Sequence, residues 1–410
     1  MDGFTDWRCA FLTCIISCQI CQSNQNFGVM PMRPGSYSFV PLEKIIWGVP
    51  AVEALPREIE QRSAARVFIV ASGTLSRKTE SIDRIAHALG ERYVGRFDEC
   101  REHAPLESVI DCLSAARRAS PDLIVTIGGG SIIDTAKIVQ LGLTHDVLTI
   151  DDLLGHANKP TPGPSKIRQL IVPTTLSGSE FTNSAGSLDV RKKLKVGFSA
   201  RDMCGQTIVL DPGLSLHTPE KLWYSTAIRS VDHAIESFCA SASNAYIRAN
   251  TSQAVRLFFS SLRRTRQDPR DLDARLTSQE AVWLATPGLF RVPMGASHGI
   301  SYLLGSIGGA PHGYTSCVTL PAVLRWNETV NGDLQRELAE AIGEPGRSVA
   351  DSLGALLDDL NLPRTLKDIG IVPAMIPQIV EYALQSPVVA GNPRPIKTEA
   401  DVLEILKLAS

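Results

Sequence analysis

The sequence predicts a parallel α/β domain over residues 37–210, followed by an all-helical domain over residues 211–410. Two observations lead to this fold class. Short continuous apolar runs alternate with amphipathic helical segments in the first half, as expected for a buried parallel sheet covered by helices. From Pro212 onward the strand-like runs give way to long segments with helical spacing.

The composition is that of an ordinary globular chain and excludes several classes of partner. Of the 410 residues, 44% are hydrophobic and 20% are charged, which allows a sizeable core. The formal net charge of −2 offers no basic surface for nucleic acid or for a membrane. Nothing beyond Gly35 approaches the run of about 18 apolar residues that a spanning helix needs. We predict a cytoplasmic protein that acts on a small molecule, with no nucleic-acid or membrane partner.

The first 33 residues differ from the rest, and we predict that they form a poorly ordered extension. Four of the nine cysteines lie within the first 21 residues, whereas the other five are scattered, as is usual for free thiols in a reducing compartment. The C-x-x-C spacing from Cys18 to Cys21 has no second pair at zinc-site distance. Asp2 and Asp6 are unlike the positive start of a signal peptide.

Regular structure is predicted from Tyr37 onward. The apolar runs predict strands over residues 44–48, 66–71, 93–97, 122–127 and 169–172. Amphipathic spacing predicts intervening helices over residues 51–61, 77–89, 106–119 and 132–143. In the second half it predicts helices over residues 219–240, 244–264, 276–285, 321–327, 334–341, 349–360 and 374–384.

Two loops at the ends of predicted strands are candidates for phosphate binding. Residues 128–131, Gly-Gly-Gly-Ser, join a strand to a helix, so backbone N–H groups and the helix N-terminus can approach a phosphate closely. Residues 173–180, Pro-Thr-Thr-Leu-Ser-Gly-Ser-Glu, supply four hydroxyl groups after another strand. Either loop alone is also compatible with a plain turn. Two of them at the carboxyl ends of one sheet favour a shared nucleotide cleft.

Three histidines of the helical half stand out among the eight in the chain: His233, His298 and His312. Neutral imidazole is a common metal ligand and a frequent proton carrier. Each could instead be a buried structural residue. Their order along the chain, downstream of the two loops, favours a functional role.

These motifs together resemble those of the iron-containing (group III) alcohol dehydrogenases. The matching segments are residues 128–137 (G-G-G-S-I-I-D-T-A-K), 210–212 (L-D-P), 233–236 (H-A-I-E), 311–313 (P-H-G) and 392–396 (N-P-R-P-I). Residues 173–180 are similar to the shorter hydroxyl motif of the maleylacetate reductase branch. The resemblance covers about residues 37–408 and is more specific for the fold than for the substrate.

The resemblance implies a dinucleotide-binding domain, a helical domain and an active site in the cleft between them. It also implies a homodimer that uses NADP or NAD. The residues it assigns to the cofactor, together with those of the two loops, are Ser72, Gly129, Gly130, Ser131, Asp134, Thr174, Thr175, Ser179 and Lys195. In metal-dependent members an aspartate and three histidines hold a divalent ion that polarises the substrate oxygen. The three histidines correspond to His233, His298 and His312.

Two departures from the family pattern change the expected chemistry. Arg229 stands one helical turn before His233, where the metal-binding aspartate is expected. At about 4 Å and an effective dielectric constant near 20, a pair of unit charges interacts by roughly 4 kcal/mol, so an arginine there opposes a divalent ion. Asp232 is adjacent to His233 and is expected to face elsewhere on the helix. Tyr302 replaces a second histidine, to which a proton-relay role is often assigned.

We therefore predict a metal-independent, NAD(P)H-dependent reductase of a small polar carbonyl compound or oxo-acid. The predicted catalytic residues are Arg229, His233, His298, Tyr302 and His312, with Arg229 stabilising the developing alkoxide or a substrate carboxylate. Should a metal be present, its ligands would be the three histidines. Ser72 in place of an aspartate permits NADP, whose 2′-phosphate Arg77 or Lys78 could hold.

Three alternatives remain open from the sequence. The same fold could host a non-redox lyase, dehydratase or cyclase guided by Arg229 and Tyr302. A metal-dependent alcohol dehydrogenase remains if Arg229 turns away from the histidines. A non-catalytic binding protein is the third alternative, against which the intact glycine loop and histidines argue.

Overall fold

Six parallel strands form the central sheet of the protein, and a computed structural model describes residues 35–192 and 194–410 of the chain, with only the backbone of His312. The predicted extension over residues 1–33 lies outside the described residues. The strands are β1 (Lys44–Trp47), β2 (Val67–Ala71), β3 (Tyr93–Phe97), β4 (Leu123–Gly128), β5 (Pro160–Thr161), β6 (Arg168–Pro173), β7 (Ser184–Asp189), β8 (Leu194–Ala200) and β9 (Thr207–Leu210).

Helices flank the sheet in the first half and make up the second half. Those of the first half are α1 (Ala51–Gln61), α2 (Gly73–Lys78), α3 (Ser81–Leu89), α4 (Leu106–Ala119), α5 (Gly130–Thr144) and α6 (Ile150–Leu154). Those after β9 are α7 (Pro212–Ser215), α8 (Glu220–Cys239), α9 (Ala245–Gln267), α10 (Leu272–Ala285), α11 (Ala296–Ser306), α12 (His312–Ala341), α13 (Val349–Asp359), α14 (Ile376–Gln385), α15 (Pro387–Ala390) and α16 (Glu399–Leu408).

The strand order in the sheet is β1-β9-β6-β4-β2-β3, and all pairings are parallel. Every residue of β2 and of β4 is buried, which explains why both strands are continuous apolar runs. One apolar cluster lies on the face covered by α1 and α3, and another on the face covered by α4 and α5. The predicted α/β fold class with a helical second half is confirmed.

A second sheet was not predicted from the sequence. It has the order β5-β8-β7, with β7 and β8 antiparallel. Strand β8 is mostly exposed or half-buried and carries Lys195. An isolated bridge joins Leu188 of β7 to Pro105, next to the N-terminus of α4.

Asp211 fixes the junction between β9 and the helices that follow. Its Oδ1 accepts hydrogen bonds from the backbone N–H groups of Gly213 and Leu214, at 2.8 and 3.3 Å, and so caps α7. Its Oδ2 accepts a bond of 2.8 Å from the backbone N–H of Ala51, at the start of α1. The placement of a domain boundary at this residue stays a prediction.

Helices α8, α9, α10, α12 and α13 surround the largest apolar cluster. Two predicted helices, over residues 321–327 and 334–341, are parts of the single helix α12, which kinks at Asn331. One predicted helix, over residues 77–89, is instead divided into α2 and α3 at the extended residue Thr79.

The helices that the structure describes include none with the length and apolar character needed to cross a membrane.

Candidate functional site

Three loops meet at the carboxyl ends of the neighbouring strands β2, β4 and β6. Ser72 follows β2, and its backbone N–H donates to the carbonyl oxygen of Ile127 at 2.8 Å. Gly128 lies beside Pro173 in the ladder of β4 with β6, and the N–H of Thr174 donates to the carbonyl oxygen of Gly128 at 3.0 Å. The two predicted phosphate loops are therefore side by side.

The glycines of the first loop allow the second loop to approach closely. A Cβ atom at Gly129 would lie 2.8 Å from Cγ2 of Thr175, and one at Gly130 would lie 3.0 Å from Oγ of Ser177. The hydroxyl oxygens of Thr175 and Ser177 are buried and make no hydrogen bond within the described residues. Such orphaned donors, beside a helix N-terminus that has no capping side chain, suit a phosphate group.

Asp134 and Lys137 of α5 hold the second loop in place. The hydroxyl group of Ser179 donates to Oδ1 of Asp134 at 2.5 Å. Nζ of Lys137 donates to the carbonyl oxygens of Ser179, Thr182 and Ser184 and to the hydroxyl oxygen of Thr182, at 2.5 to 3.0 Å. Burial lowers the pKa of Lys137 to about 8, while Asp134 acts in the opposite direction. Asp134 and Lys137 therefore fix the conformation of the second loop.

Hydroxyl side chains tie the same loop to the helical half. Ser230 of α8 donates to the carbonyl oxygen of Leu176 at 2.5 Å, and the backbone N–H of Leu176 donates to the hydroxyl of Thr226 at 3.1 Å. Thr218 donates to the carbonyl oxygen of Thr174 at 2.6 Å. The second predicted phosphate loop and α8 are therefore in direct contact.

Arg229 directly precedes Ser230 on α8 and is held by two partners. Its Nη1 is 3.3 Å from Oδ2 of Asp232 and donates to the hydroxyl oxygen of Ser316 at 2.9 Å. Asp232 is fully buried and also accepts from the hydroxyl groups of Ser297 and Ser316, at 3.0 and 2.7 Å. The expectation that Asp232 faces elsewhere is wrong, because residues three apart on a helix are neighbours and the ion pair draws the two side chains together.

Glu236 connects α8 to the N-terminus of α11. Its carboxylate accepts hydrogen bonds from the backbone N–H groups of Gly295, Ser297 and His298, at 3.0, 2.8 and 3.3 Å. Nδ1 of His298 lies 2.6 Å from Oε2 of Glu236 and 3.4 Å from Oδ1 of Asp232. A carboxylate partner at Nδ1 fixes the ring orientation and favours a proton on that nitrogen.

The surroundings of His298 favour its charged form. Burial and the positive charge of Arg229 lower the pKa of His298, but the carboxylates of Asp232 and Glu236 outweigh both, so the net shift is upward. Nε2 is buried and has no hydrogen-bond partner within the described residues. The ring of His233 stacks against it, with 5.0 Å between the ring centroids. A protonated His298 therefore has a proton on Nε2 to donate.

Tyr302 follows His298 by one turn of α11, and its side chain is 42% exposed. Partial burial raises the pKa of Tyr302, so its hydroxyl group stays protonated at neutral pH and can donate a hydrogen bond. Nζ of Lys195 lies 5.9 Å from the centre of its ring. Burial lowers the pKa of Lys195, as does the charge of Arg229, whereas Asp134 raises it. Lys195 is therefore within electrostatic reach of both Asp134, beside the second predicted phosphate loop, and Arg229 on α8.

The predicted metal set is only partly tested by the geometry. The side chain of His312 lies outside the described part of the chain. Its backbone begins α12, where a Cβ on Gly313 would lie 2.6 Å from Cβ of Ser225 on α8. Asp232, Glu236 and His298 do form a group whose potential ligand atoms lie within 4.8 Å of one another. Most of their oxygen atoms already accept the hydrogen bonds given above.

Arg77 does not extend freely from α2. Its Nη1 donates to the carbonyl oxygen of Asp98 at 3.3 Å and lies 3.9 Å from the carboxylate of Asp98. A Cβ on Gly73 would lie 2.0 Å from its Nη2. The guanidinium group therefore lies over the turn after β2, where the adenosine ribose of a dinucleotide would be expected.

Asp232, Glu236, Ser297 and Ser316 were absent from the predicted site, although they organise it. One signal could have revealed two of them. Asp232 and Glu236 are four residues apart, so both carboxylates lie on the face of α8 that also carries Arg229. The two serines come from other helices, and no local pattern marks them.

Comparisons with known proteins extend over nearly the whole described chain. The family model "Iron-containing alcohol dehydrogenase" matches residues 42–212, and "Fe-containing alcohol dehydrogenase family, C-terminal" matches residues 224–410. Dehydrogenase FUM7 of Gibberella moniliformis is 32% identical, over 89% of this chain and 96% of the relative. Maleylacetate reductase 1 of Cupriavidus pinatubonensis is 27% identical, over 88% and 93%. The alcohol dehydrogenase structure from Oenococcus oeni has a TM-score of 0.82 at 25% identity, covering 92% of this chain and all of the other.

Proposed function

Because the chain belongs to the iron-containing alcohol dehydrogenase family and is an oxidoreductase, we propose that it is a metal-independent, NAD(P)H-dependent reductase of a small polar carbonyl compound or oxo-acid. One observation carries the proposal. Arg229, in place of the family's metal-binding aspartate, is held by Asp232 and Ser316 beside the buried ring of His298.

Two features of the donor set argue against a divalent ion. A cation among Asp232, Glu236 and His298 would lie close to the guanidinium group of Arg229, whose Nη1 is only 3.3 Å from the carboxylate of Asp232. It would also displace the backbone N–H groups that bind Glu236 and the Nδ1 contact of His298. Fixed positive charge from Arg229 therefore takes the place of a Lewis acid in this proposal.

The residues around the glycine loop fit a dinucleotide. The uncapped N-terminus of α5 and the orphaned hydroxyl groups of Thr175 and Ser177 would hold its phosphates. When bound, the nicotinamide ring supplies or accepts the hydride. The contacts of Thr226 and Ser230 with the loop at Leu176 hold this site against α8, and so orient the cofactor toward the histidines.

His298 is the proposed proton donor to the carbonyl oxygen. Glu236 and Asp232 hold its Nδ1 side and favour the imidazolium, so that Nε2 carries the proton to be transferred. His233 stacks on the ring and limits its rotation. Tyr302, protonated at neutral pH, would add a second hydrogen bond from one helical turn away.

The charges of the site favour an anionic or strongly polar substrate. Arg229, Lys195 and a protonated His298 outnumber the two carboxylates of Asp232 and Glu236. The hydrogen bonds of Arg229 within the described chain involve Nη1 alone, which leaves further N–H donors of the guanidinium group for a substrate oxygen. Relatives named maleylacetate reductase support a carbonyl substrate that carries carboxylate groups.

The test combines metal analysis with reductase assays on the purified protein. NADPH or NADH oxidation is followed by absorbance with oxo-acids, aldehydes and uncharged ketones of matched size. We expect turnover with an oxo-acid, unaffected by a chelator, and less than one bound metal ion per ten chains as an order-of-magnitude limit. Arg229→Ala should lower kcat/KM by about 10²- to 10³-fold, with no rescue by added divalent ions.

Arg256→Ala, an exposed substitution on α9, is the matched control and should leave kcat/KM unchanged. Arg229→Asp tests the charge argument in the other direction, because it restores a carboxylate and should introduce metal binding. A stoichiometric metal that the wild-type protein needs for activity would identify a metal-dependent alcohol dehydrogenase instead. Turnover without any change in the nicotinamide would contradict the redox proposal.

A further inference from the structure

The loop between β3 and α4 lies against the start of α5, and none of its residues belongs to the predicted cofactor site. The backbone N–H of His103 donates to the hydroxyl oxygen of Ser131 at 3.0 Å. The next residue is fixed as well, because the hydroxyl group of Ser187 on β7 donates to the carbonyl oxygen of Ala104 at 2.6 Å. His103 is thereby positioned next to the first turn of α5, where the phosphate loop ends.

The backbone of this loop is strained at two consecutive residues. His103 has a φ of 62° and Ala104 a φ of 47°, both in the left-handed region. Residues other than glycine seldom adopt this conformation, and two in succession persist only when the surrounding structure holds them there. The bonds to Ser131 and Ser187 do so. Strain of this kind accumulates at ligand-binding positions.

The side chain of His103 is exposed and lies in the electrostatic field of the site. Partial burial of the ring lowers the pKa of His103, the positive charge of Lys195 on β8 lowers it further, and Glu102 in the same loop raises it. The neighbouring contacts from α5 and β7, through Ser131 and Ser187, are uncharged. Asp134 is the nearest described acid on α5, and its charge acts on Lys195. Glu102 is the carboxylate that acts on the pKa of His103 within the described residues.

We propose that His103 binds the pyrophosphate of the dinucleotide and makes cofactor affinity depend on pH. This inference rests on the proposed function, since it requires the dinucleotide to bind at the N-terminus of α5. Two positive groups, His103 and Lys195, would then stand on the open side of the phosphate loop. They would face the anion opposite the backbone N–H groups of Gly130 and Ser131.

The direction of the pH effect follows from the charges. In the free protein Lys195 disfavours the imidazolium, whereas a bound pyrophosphate favours it. The complex therefore binds more protons than the free protein, and binding takes up a proton near neutral pH. Affinity is greatest at low pH and falls as pH rises through the pKa of His103 in the complex.

The experiment is calorimetric titration of the full-length protein with NAD⁺ and with NADP⁺ at pH 6 and pH 8.5, in buffers of different ionisation enthalpy. His103→Asn removes the imidazole but keeps a residue that tolerates a positive φ. We expect it to weaken binding about tenfold at pH 6 and less than about twofold at pH 8.5, and to abolish part of the proton uptake. His103→Lys should restore affinity and remove its pH dependence.

His87→Gln, an exposed histidine substitution in α3, is the matched control and should behave like the wild-type protein. A His103→Asn protein with wild-type affinity and proton uptake would overturn the inference, and so would equal weakening at both pH values. If the wild-type protein binds neither dinucleotide, the proposed function itself fails. Binding by the wild-type protein with no effect of His103 leaves the proposed function standing and removes only the role of His103.

Discussion

At the scale of single residues, the site depends on the two sets of contacts that the carboxylate of Glu236 makes. One carboxylate both binds the N-terminal N–H groups of α11 and holds Nδ1 of His298. The helix N-terminus stabilises the negative charge of Glu236, and Glu236 in turn stabilises the positive charge of His298. Orientation and protonation of the proposed acid therefore have the same origin.

Glu236→Gln should test this coupling without changing side-chain size. The raised pKa of His298 means that its imidazolium persists above the ordinary value of 6.5 and is lost as pH rises through the raised value. Removing the negative charge of Glu236 should move the basic limb of the kcat/KM profile to lower pH, by about one unit. At pH 7 we expect kcat to fall by about 10- to 10²-fold.

The control for this prediction is Glu60→Gln on the exposed face of α1, which should leave the pH profile in place. Far-ultraviolet circular dichroism of Glu236→Gln checks that α11 remains folded. An unchanged basic limb in a folded Glu236→Gln protein would show that another group titrates there.

The sequence pointed to Arg229, His298 and Tyr302 for the candidate site, but not to the contacts among its residues. Arg229, His298 and Tyr302 could be predicted because they occupy positions of known family motifs. The direction of the Asp232 side chain was predicted wrongly. Helical spacing shows on which face of the helix a residue lies, but it does not show the ion pair with Arg229 that turns this side chain toward the site. Ser316 could not be predicted, since its role depends on how α12 packs against α8.

At the scale of elements, the first predicted phosphate loop depends on glycine, because the lack of a side chain lets the second loop pack against it. Gly129→Ala should place a Cβ 2.8 Å from Cγ2 of Thr175, closer than unbonded carbon atoms approach. The second loop would have to move, so we expect dinucleotide affinity to fall by at least about tenfold, with unchanged helix content. Gly346→Ala, in an open surface position, is the control. Wild-type affinity of Gly129→Ala in calorimetry would show that the loops need not touch.

The strands that could be predicted most directly are those whose side chains all have the same buried surroundings. Strands β2 and β4 are buried on both faces and read as continuous apolar runs. Strand β8 was missed although its sequence alternates, with apolar residues at Leu194, Val196, Phe198 and Ala200. Helix α11 was missed because glycine and serine weaken its pattern, and its N-terminus is bound by Glu236 from a distant helix. Pro321 predicted a helix start but lies inside α12.

At the scale of the whole molecule, Glu180 makes stability depend on pH. Burial raises its pKa from 4.5 to about 7, and its Oε2 has no hydrogen-bond partner within the described residues. The folded state binds more protons than the unfolded state between these two values. The contribution of the protonated Glu180 carboxyl to the free energy of unfolding is fully present below about pH 4.5. It is lost as the pH rises through about 7.

Glu180→Gln should remove this dependence. Relative to the wild-type protein, the free energy of unfolding of the variant should increase by about 3 kcal/mol between pH 4.5 and pH 8, because one pKa unit corresponds to about 1.4 kcal/mol. Chemical denaturation of both proteins at several pH values measures the difference. Parallel curves for the two proteins would mean that Glu180 titrates normally.

Asp211 has a consequence for the order of events during synthesis. Its side chain bonds the N–H of Ala51, which is 160 residues earlier in the chain. Nascent α1 leaves the ribosome long before this partner exists, so the backbone N–H of Ala51 lacks this acceptor until β9 has taken its place between β1 and β6. The earliest helix in the described part of the chain is therefore capped by one of the last residues of the sheet half, so its full set of hydrogen bonds forms only after that half has been synthesised.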